Sequence, residues 1–216
     1  MKKVSVLMGV VLLTAGISYA TLLPGISTDR LAPSWRGQSN TTLQAWTFNT
    51  SSTPAALTVD QNPYGTPTAN VFLPDTSNPK RTYWIASDNG HTGVWRIYGW
   101  NYLELNLPNF NSPNPSKEIW LQITYSADSI NQQPTILTTP DYASIETVQS
   151  TIIDTLYRHD VFKIVLNSNP SSEYIYIQPR GQVLYIDEIV VDTRSVPEPA
   201  TLALLGLGGL LLRRKK

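Results

Sequence analysis

A chain of 216 residues of which 41% are hydrophobic is long enough to bury one sizeable core. It contains no cysteine, which excludes a disulfide framework and thiolate metal sites. Its formal net charge is zero, but residues 21–195 contain ten basic and fifteen acidic residues, a net charge of −5. An acidic body without a basic patch in its sequence argues against binding to nucleic acid or acidic lipid.

The amino end has the features of an export signal. Lys2 and Lys3 form a positive region, an apolar stretch follows over residues 4–17, and a small-x-small cleavage pattern ends at Ala20. These features predict a helical Sec-type signal peptide over residues 1–20, with cleavage after Ala20. An uncleaved anchor is the alternative, and both interpretations export the body.

The body, residues 21–195, has the pattern of β-structure throughout. Apolar and polar side chains alternate in residues 102–107 and again in residues 118–125. In the second run, this alternation puts Trp120 on the same face as Glu118 and Gln122. Turn formers such as those at 88–90 separate further runs of this kind. Strands are also predicted over residues 42–48, 69–73, 81–87, 93–98, 161–166, 174–178 and 183–192.

Residues 141–158 fit two structures. Asp141 suits the cap of a helix that would have Ile145, Val148 and Ile152 on one side. We favour a strand over residues 151–157, because β-branched residues dominate there and the neighbouring segments are all β.

About nine or ten short strands without intervening helices predict an all-β fold, a two-sheet β-sandwich. A signal helix and a short hydrophobic C-terminal helix would flank it. The apolar phase of the last strand slips between Ile186 and Ile189, which predicts a β-bulge at Asp187 and Glu188. This strand resembles the last strand of jelly-roll domains of the galactose-binding-like and carbohydrate-binding-module type, and the resemblance implies a jelly-roll-like body.

The sequence offers little for catalysis. His91 and His159 are its only histidines and are expected in polar loops, and neither a zinc-binding spacing nor a G-x-S-x-G motif occurs. Glu104 and Glu118 lie on outward faces of predicted strands and are weak candidates for a glycosidase pair. We therefore expect a protein that is not an enzyme and has no cofactor, with a small polysaccharide-active glycosidase or lyase as the alternative.

The tryptophan residues are the remaining candidates for ligand binding. All six Trp residues lie in the body, and an exposed indole is a platform for a sugar ring. We expect about four of them in the core, and Trp35 and Trp120 to be exposed as the candidate glycan-binding residues. A calcium ion bound by loop carbonyls stays open, since the sequence does not place its ligands.

The carboxyl end has a pattern of three parts. Residues Val196, Pro197, Glu198 and Pro199 precede an apolar, Leu- and Gly-rich run over 200–212, and the chain closes with the bases Arg213, Arg214, Lys215 and Lys216. As a helix the run is about 20 Å long against a hydrocarbon core of about 30 Å, so it spans a membrane poorly. The bases are a cytoplasmic stop by the positive-inside rule. The pattern predicts a weak, temporary anchor.

This order resembles the PEP-CTERM sorting signal of Gram-negative bacteria, with Pro197, Glu198 and Pro199 matching its motif residue by residue. The resemblance covers residues 196–216. It implies a substrate of an exosortase, an integral-membrane cysteine transpeptidase thought to process the tail near this motif. Substrates of this kind commonly accompany exopolysaccharide and biofilm production.

The sequence thus predicts an exported, non-catalytic surface or biofilm-matrix protein, with extracellular polysaccharide as the candidate ligand of its body. Its expected partners are the Sec machinery and an exosortase. It would be tethered to the inner membrane before processing and then reach the cell surface or extracellular matrix. A purely structural, self-associating matrix protein is the second alternative.

Overall fold

The structure, a computed structural model, describes residues 23, 26, 29–77, 79–110 and 114–196. This part of the chain contains twelve β-strands, a short 3-10 turn at Pro79–Arg81, and no α-helix. The strands are β1 (Thr41–Trp46), β2 (Val59–Gln61), β3 (Thr68–Phe72), β4 (Tyr83–Asp88), β5 (His91–Tyr98), β6 (Tyr102–Pro108), β7 (Ser116–Ala127), β8 (Thr135–Thr139), β9 (Tyr142–Ile152), β10 (Arg158–Leu166), β11 (Ser172–Gln178) and β12 (Val183–Val196).

These strands form two antiparallel sheets. The larger has eight strands, with β2, β1, β12, β7, β10 and β9 in that order and the β4–β5 hairpin attached to β12 through β5. The smaller has four strands in the order β3, β6, β11, β8. The prediction of an all-β protein with two sheets is confirmed, and the arrangement is consistent with a β-sandwich.

The main hydrophobic core lies between the two sheets. Leu103, Leu105 and Leu107 of β6 belong to the same fully buried cluster as Ile119, Leu121 and Ile123 of β7. Complete burial of such side chains stabilises the fold by about 1.5–3 kcal/mol each. Since β6 belongs to the small sheet and β7 to the large one, the alternate residues of both strands face outward.

The predicted bulge in β12 is confirmed. The register of β12 against β7 shifts between Ile186 and Glu188. On its other edge, β12 pairs with β5 up to Ile186 and with β1 from Ile189 onward. The extra residue restores the phase, so that Ile189 and Val191 face the same core as Leu184 and Ile186.

The strand predicted over residues 151–157 has the wrong bounds. Strand β9 covers Tyr142–Ile152, so the segment is extended and not helical, but residues 153–157 form a turn. Asp154 Oδ1 accepts hydrogen bonds from the backbone N–H of Leu156 and of Tyr157, both at 2.7 Å. This turn outweighs the β-propensity of the residues around it. The short strands β2 and β8 were not predicted.

Both predicted targeting signals, with the helices that would flank the body, lie outside the described residues. These are the signal peptide with its cleavage site at Ala20 and the tail from Pro197 to the terminal bases. Val196, which we assigned to the tail, is the last residue of β12 and pairs with Ser116. Within the described part of the chain, no helix has the length and apolar character needed to span a membrane.

Candidate functional site

Residues 29–36 cover part of the outer face of the eight-stranded sheet. Arg36 lies between two buried carboxylates, with Nη1 2.5 Å from Asp29 Oδ2 and Nε 2.6 Å from Asp192 Oδ1. Burial raises the pKa of Asp192 to about 6 in spite of its hydrogen bond with Arg36. Gln122 Nε2 of β7 also donates to Asp29 Oδ1, at 2.8 Å. This polar network fixes the segment to the sheet.

The same segment determines where the two candidate Trp residues lie. Trp35 is only 4% exposed, and its Nε1 donates to Glu118 Oε1 at 3.0 Å. Trp120 is half-buried, and its Nε1 donates to the backbone carbonyl of Leu31 at 2.6 Å. The expectation that both indoles are exposed is therefore wrong for Trp35 and only partly met for Trp120. Strand alternation identified the outward face correctly, but it did not reveal the segment that covers this face.

The two candidate carboxylates do not form a pair. Glu104 faces outward from the four-stranded sheet and Glu118 from the eight-stranded sheet, with the core between them. Glu118 also accepts a hydrogen bond from Arg194 Nη2 at 2.8 Å, in addition to the one from Trp35. These two residues therefore cannot flank one glycosidic bond.

A polar pocket of about 290 Å³ opens at the bulge of β12 and includes His91 and Asp187 in its lining. His91 Nδ1 lies 2.8 Å from Asp187 Oδ2, and its Nε2 lies 3.1 Å from Asp154 Oδ2. Burial disfavours the imidazolium, but these two carboxylates outweigh it and raise the pKa of His91. Since both ring nitrogens are engaged, neither is free to take a proton from a ligand. The imidazole instead connects the start of β5, the bulge and the turn after β9.

His159 is fully buried in β10, with its Nδ1 3.0 Å from Thr124 Oγ1. Burial lowers the pKa of His159 to about 4, so this imidazole is neutral at pH 7. The expectation that both histidines lie in polar loops is wrong, because each belongs to a strand. No group of three or more His, Asp or Glu side chains in the described part of the chain could hold a metal ion.

The outer face of the four-stranded sheet presents a row of aromatic side chains. Phe72 of β3 lies 5.3 Å from Tyr102 of β6, measured between ring centroids. Tyr102 lies 5.6 Å from Tyr176 of β11, and Tyr176 lies 6.5 Å from Tyr174 on the same strand. We call Phe72, Tyr102, Tyr176 and Tyr174 the aromatic row. It crosses three adjacent strands.

Glu104 lies beside the aromatic row. It pairs across the strands with Asn70 of β3 and with Tyr176 of β11. Its carboxylate makes no hydrogen bond or ion pair to any described residue, and partial burial raises its pKa. The site therefore combines aromatic rings with a carboxylate that is available to a ligand.

Sequence reasoning placed Tyr102 and Glu104 on an outward face but did not recognise the site. The sequence pointed to Trp as the exposed ring, but the outward rings of this face are those of an exposed Phe and three half-buried Tyr residues. The signal was present in the alternation of Tyr174, Tyr176 and Gln178, which places all three on one face of a strand. Only the order of the strands brings them beside β6.

The fold and the end of the chain define an exported protein with a two-sheet β-body, which is anchored in the membrane before its tail is processed. Residues 195–216 match the PEP-CTERM protein-sorting motif. The chain thus carries a PEP-CTERM sorting signal, which indicates an exosortase substrate and confirms the resemblance seen in the sequence. No curated protein matches the chain.

Proposed function

We propose that this protein is a non-catalytic component of the cell surface or biofilm matrix, and that its body binds extracellular polysaccharide. The Sec machinery would carry the chain across the inner membrane, and the exosortase would release it from its temporary anchor. The sorting signal supports export and processing. The observation that carries the binding proposal is the aromatic row on the four-stranded sheet.

The chemistry of this face suits a polysaccharide. The C–H faces of a sugar ring pack against aromatic rings, while its hydroxyl groups need polar partners at the edge of the platform. Neighbouring ring centroids 5.3–6.5 Å apart form a strip long enough for several sugar units of an extended chain. Glu104 has the only formal charge among the outward positions of the four strands. A neutral polysaccharide is therefore the preferred ligand.

The topology supports a jelly-roll interpretation of the body. Strands β6, β7 and β8 alternate between the two sheets, and so do β10, β11 and β12. Chain crossings of this kind are typical of double-sheet jelly rolls. The interpretation agrees with the resemblance of the last strand to carbohydrate-binding modules.

Binding to neutral polysaccharides tests the proposal directly. A fragment of residues 21–196 contains all twelve strands and both hydrophobic clusters, so it retains every described contact. We expect saturable binding by affinity electrophoresis and calorimetry, and no release of reducing ends. Tyr102→Ala and Tyr176→Ala should each weaken binding about fivefold, the equivalent of about 1 kcal/mol of ring stacking.

Tyr83→Ala is the matched control, because Tyr83 is 47% exposed and lies on the other sheet. It should leave the affinity unchanged. Release of reducing ends would establish the alternative enzyme instead. Self-association of the folded fragment without binding to any neutral polysaccharide would establish the purely structural matrix protein.

A further inference from the structure

Three basic residues that form no ion pair with a described residue lie close together beside β5. Five of the ten Lys and Arg residues between 21 and 195 pair with carboxylates, namely Arg36, Lys117, Arg158, Lys163 and Arg194. Three of the other five, Arg81, Arg96 and Arg180, contact Tyr98 or line the pocket that Tyr98 shares with the exposed Trp100. We call Arg81, Arg96, Tyr98, Trp100 and Arg180 the arginine–tryptophan patch. Within the described part of the chain, none of its three cations has a carboxylate oxygen within 4.0 Å.

Aromatic rings hold Arg96 in place. Cross-strand pairing sets Arg96 of β5 between Tyr83 of β4 and Tyr185 of β12. Its guanidinium carbon lies 5.4 Å from the Tyr83 ring centroid, 5.8 Å from that of Tyr185 and 5.3 Å from that of Tyr98. Cation–π contacts of this kind orient a guanidinium without neutralising its charge.

Arg81, at the end of the 3-10 turn, also contacts Tyr98. Its guanidinium carbon lies 4.8 Å from the Tyr98 ring centroid, and its Nη1 donates to the Tyr98 hydroxyl at 2.5 Å. Arg96 Nη1 donates to the backbone carbonyl of Arg81, so the two side chains are neighbours. The two guanidinium groups thus share Tyr98, and each keeps N–H donors that no described residue accepts from.

The pocket beside Tyr98 supplies an aromatic platform and a third cation. It has a volume of about 250 Å³ and is lined by Tyr98, Trp100 and Arg180. Trp100 is 79% exposed, far more than the other Trp residues of the body, which are buried or half-buried. The patch therefore combines an accessible indole with several guanidinium groups.

Two carboxylates approach the rim of the patch, and both are already engaged. Asp75 lies beside Gly99, and its Oδ1 accepts a hydrogen bond from Ser77 N at 3.1 Å. Asp128 lies beside Gly181, and its Oδ2 accepts from Val183 N at 3.2 Å. Neither forms an ion pair with the arginines of the patch, so the positive charge there is not cancelled by direct contact.

We propose that the arginine–tryptophan patch binds the carboxylate groups of an acidic polysaccharide. A guanidinium fork matches a carboxylate with two parallel hydrogen bonds, and the indole of Trp100 packs against the sugar ring that carries it. Charge complementarity selects this ligand, since the patch is positive although the body as a whole has a net charge of −5. The patch shares no residue with the aromatic row, which lies on the outer face of the four-stranded sheet.

Binding of the folded fragment of residues 21–196 to polygalacturonate is the test. We expect saturable binding that weakens as the salt concentration rises and is lost when the carboxylates are methyl-esterified. Arg81→Gln combined with Arg96→Gln should weaken binding at least tenfold. Because Arg96 packs among tyrosines, Trp100→Ala provides a second variant at a site too exposed to affect folding, and it should weaken binding at least fivefold.

Arg30→Gln is the matched control, since Arg30 is exposed, lies outside the patch and forms no ion pair with a described residue. It removes one positive charge by the same substitution and should leave binding unchanged. An equal loss with Arg30→Gln, or no binding by the folded fragment, would overturn the proposal. Preference for dextran sulfate would overturn the assignment to carboxylate, and preference for duplex DNA would overturn the assignment to polysaccharide.

Discussion

At the scale of single residues, the two histidines show how the fold gives one residue type opposite properties. His91 lies between Asp187 and Asp154, which raise its pKa above the ordinary value of 6.5. His159 is enclosed in β10, where burial lowers its pKa to about 4. Both shifts change the stability of the protein with pH, and their signs differ.

The raised pKa of His91 predicts that the protonated imidazole stabilises the folded protein at acid pH. The folded state binds the proton of His91 more tightly than the unfolded chain does, so this contribution is fully present below pH 6.5. It is lost as the pH rises through the folded-state pKa of His91. His91→Gln should therefore lower the free energy of unfolding more at pH 5.5 than at pH 8.5, as measured by urea denaturation.

His159 provides the opposite comparison. Because its folded pKa is depressed, its contribution is present above pH 6.5 and is lost as the pH falls toward 4. The free-energy difference between wild type and His159→Gln should change with pH in the opposite direction to that of His91→Gln.

A His91→Gln profile that runs parallel to that of wild type between pH 5.5 and 8.5 would exclude the bridging role of His91.

Individual side chains were the hardest feature to predict from the sequence. Trp35 begins a polar stretch and was expected in solvent, yet its indole is buried against Glu118. Arg81 and Arg96 are fifteen positions apart and form no basic run, so a basic patch could not be predicted from the sequence. Both outcomes depend on which segments meet in three dimensions, and local patterning does not contain that information.

At the scale of elements, the sequence was a better guide. The period-2 alternation of β6 and β7 predicted which residues face the core, because a strand with one buried face has only one register that buries its apolar set. The phase slip in β12 located its bulge for the same reason. The end of β9 was misplaced because the turn at Asp154 depends on hydrogen bonds from a carboxylate rather than on hydrophobic pattern.

The start of β5 provides a stability prediction for an element. Gly93 has a φ of +77°, and a Cβ built there would lie 2.2 Å from the carbonyl oxygen of Phe48. Gly90 has a φ of +88° but nothing within 4 Å of such a Cβ. Gly90→Ala should destabilise the fold by about 1–2 kcal/mol through backbone strain alone. Gly93→Ala adds a backbone clash and should cost at least about 2 kcal/mol more.

Urea denaturation of the two alanine variants checks this prediction. The difference between them isolates the contact of β5 with Phe48, since both variants share the positive φ. Equal loss of stability in both would mean that the chain after β1 does not lie against Gly93.

At the scale of the whole molecule, the body has two distinct surfaces suited to saccharides. The aromatic row lies on the outer face of the four-stranded sheet, and the arginine–tryptophan patch is formed by β5, by the 3-10 turn and by the loops that connect β5 to β6 and β11 to β12. The two surfaces share no residue, so one molecule that binds a neutral chain through the row and an acidic chain through the patch would connect two polysaccharides. Such a connection suits a matrix protein better than an enzyme, which needs its functional groups to converge.

The sorting signal begins where this body ends. Strand β12 is hydrogen-bonded to β1 and β7 and runs to Val196, and the Pro-Glu-Pro motif starts at the next residue. The matched motif overlaps the strand by two residues, Ser195 and Val196. The folded body and the sorting motif are therefore adjacent along the chain.

The central claim is that an exosortase sorts the chain through the Pro-Glu-Pro motif. The most direct measurement is the cellular location and intact mass of a full-length variant in which alanine replaces Pro197, Glu198 and Pro199. This variant is expressed in the native host and compared with the wild-type protein expressed in a host without the exosortase. The account predicts that both proteins stay in the membrane fraction with an unprocessed tail. Release of the triple-alanine variant at the processed mass of the wild-type protein would contradict it.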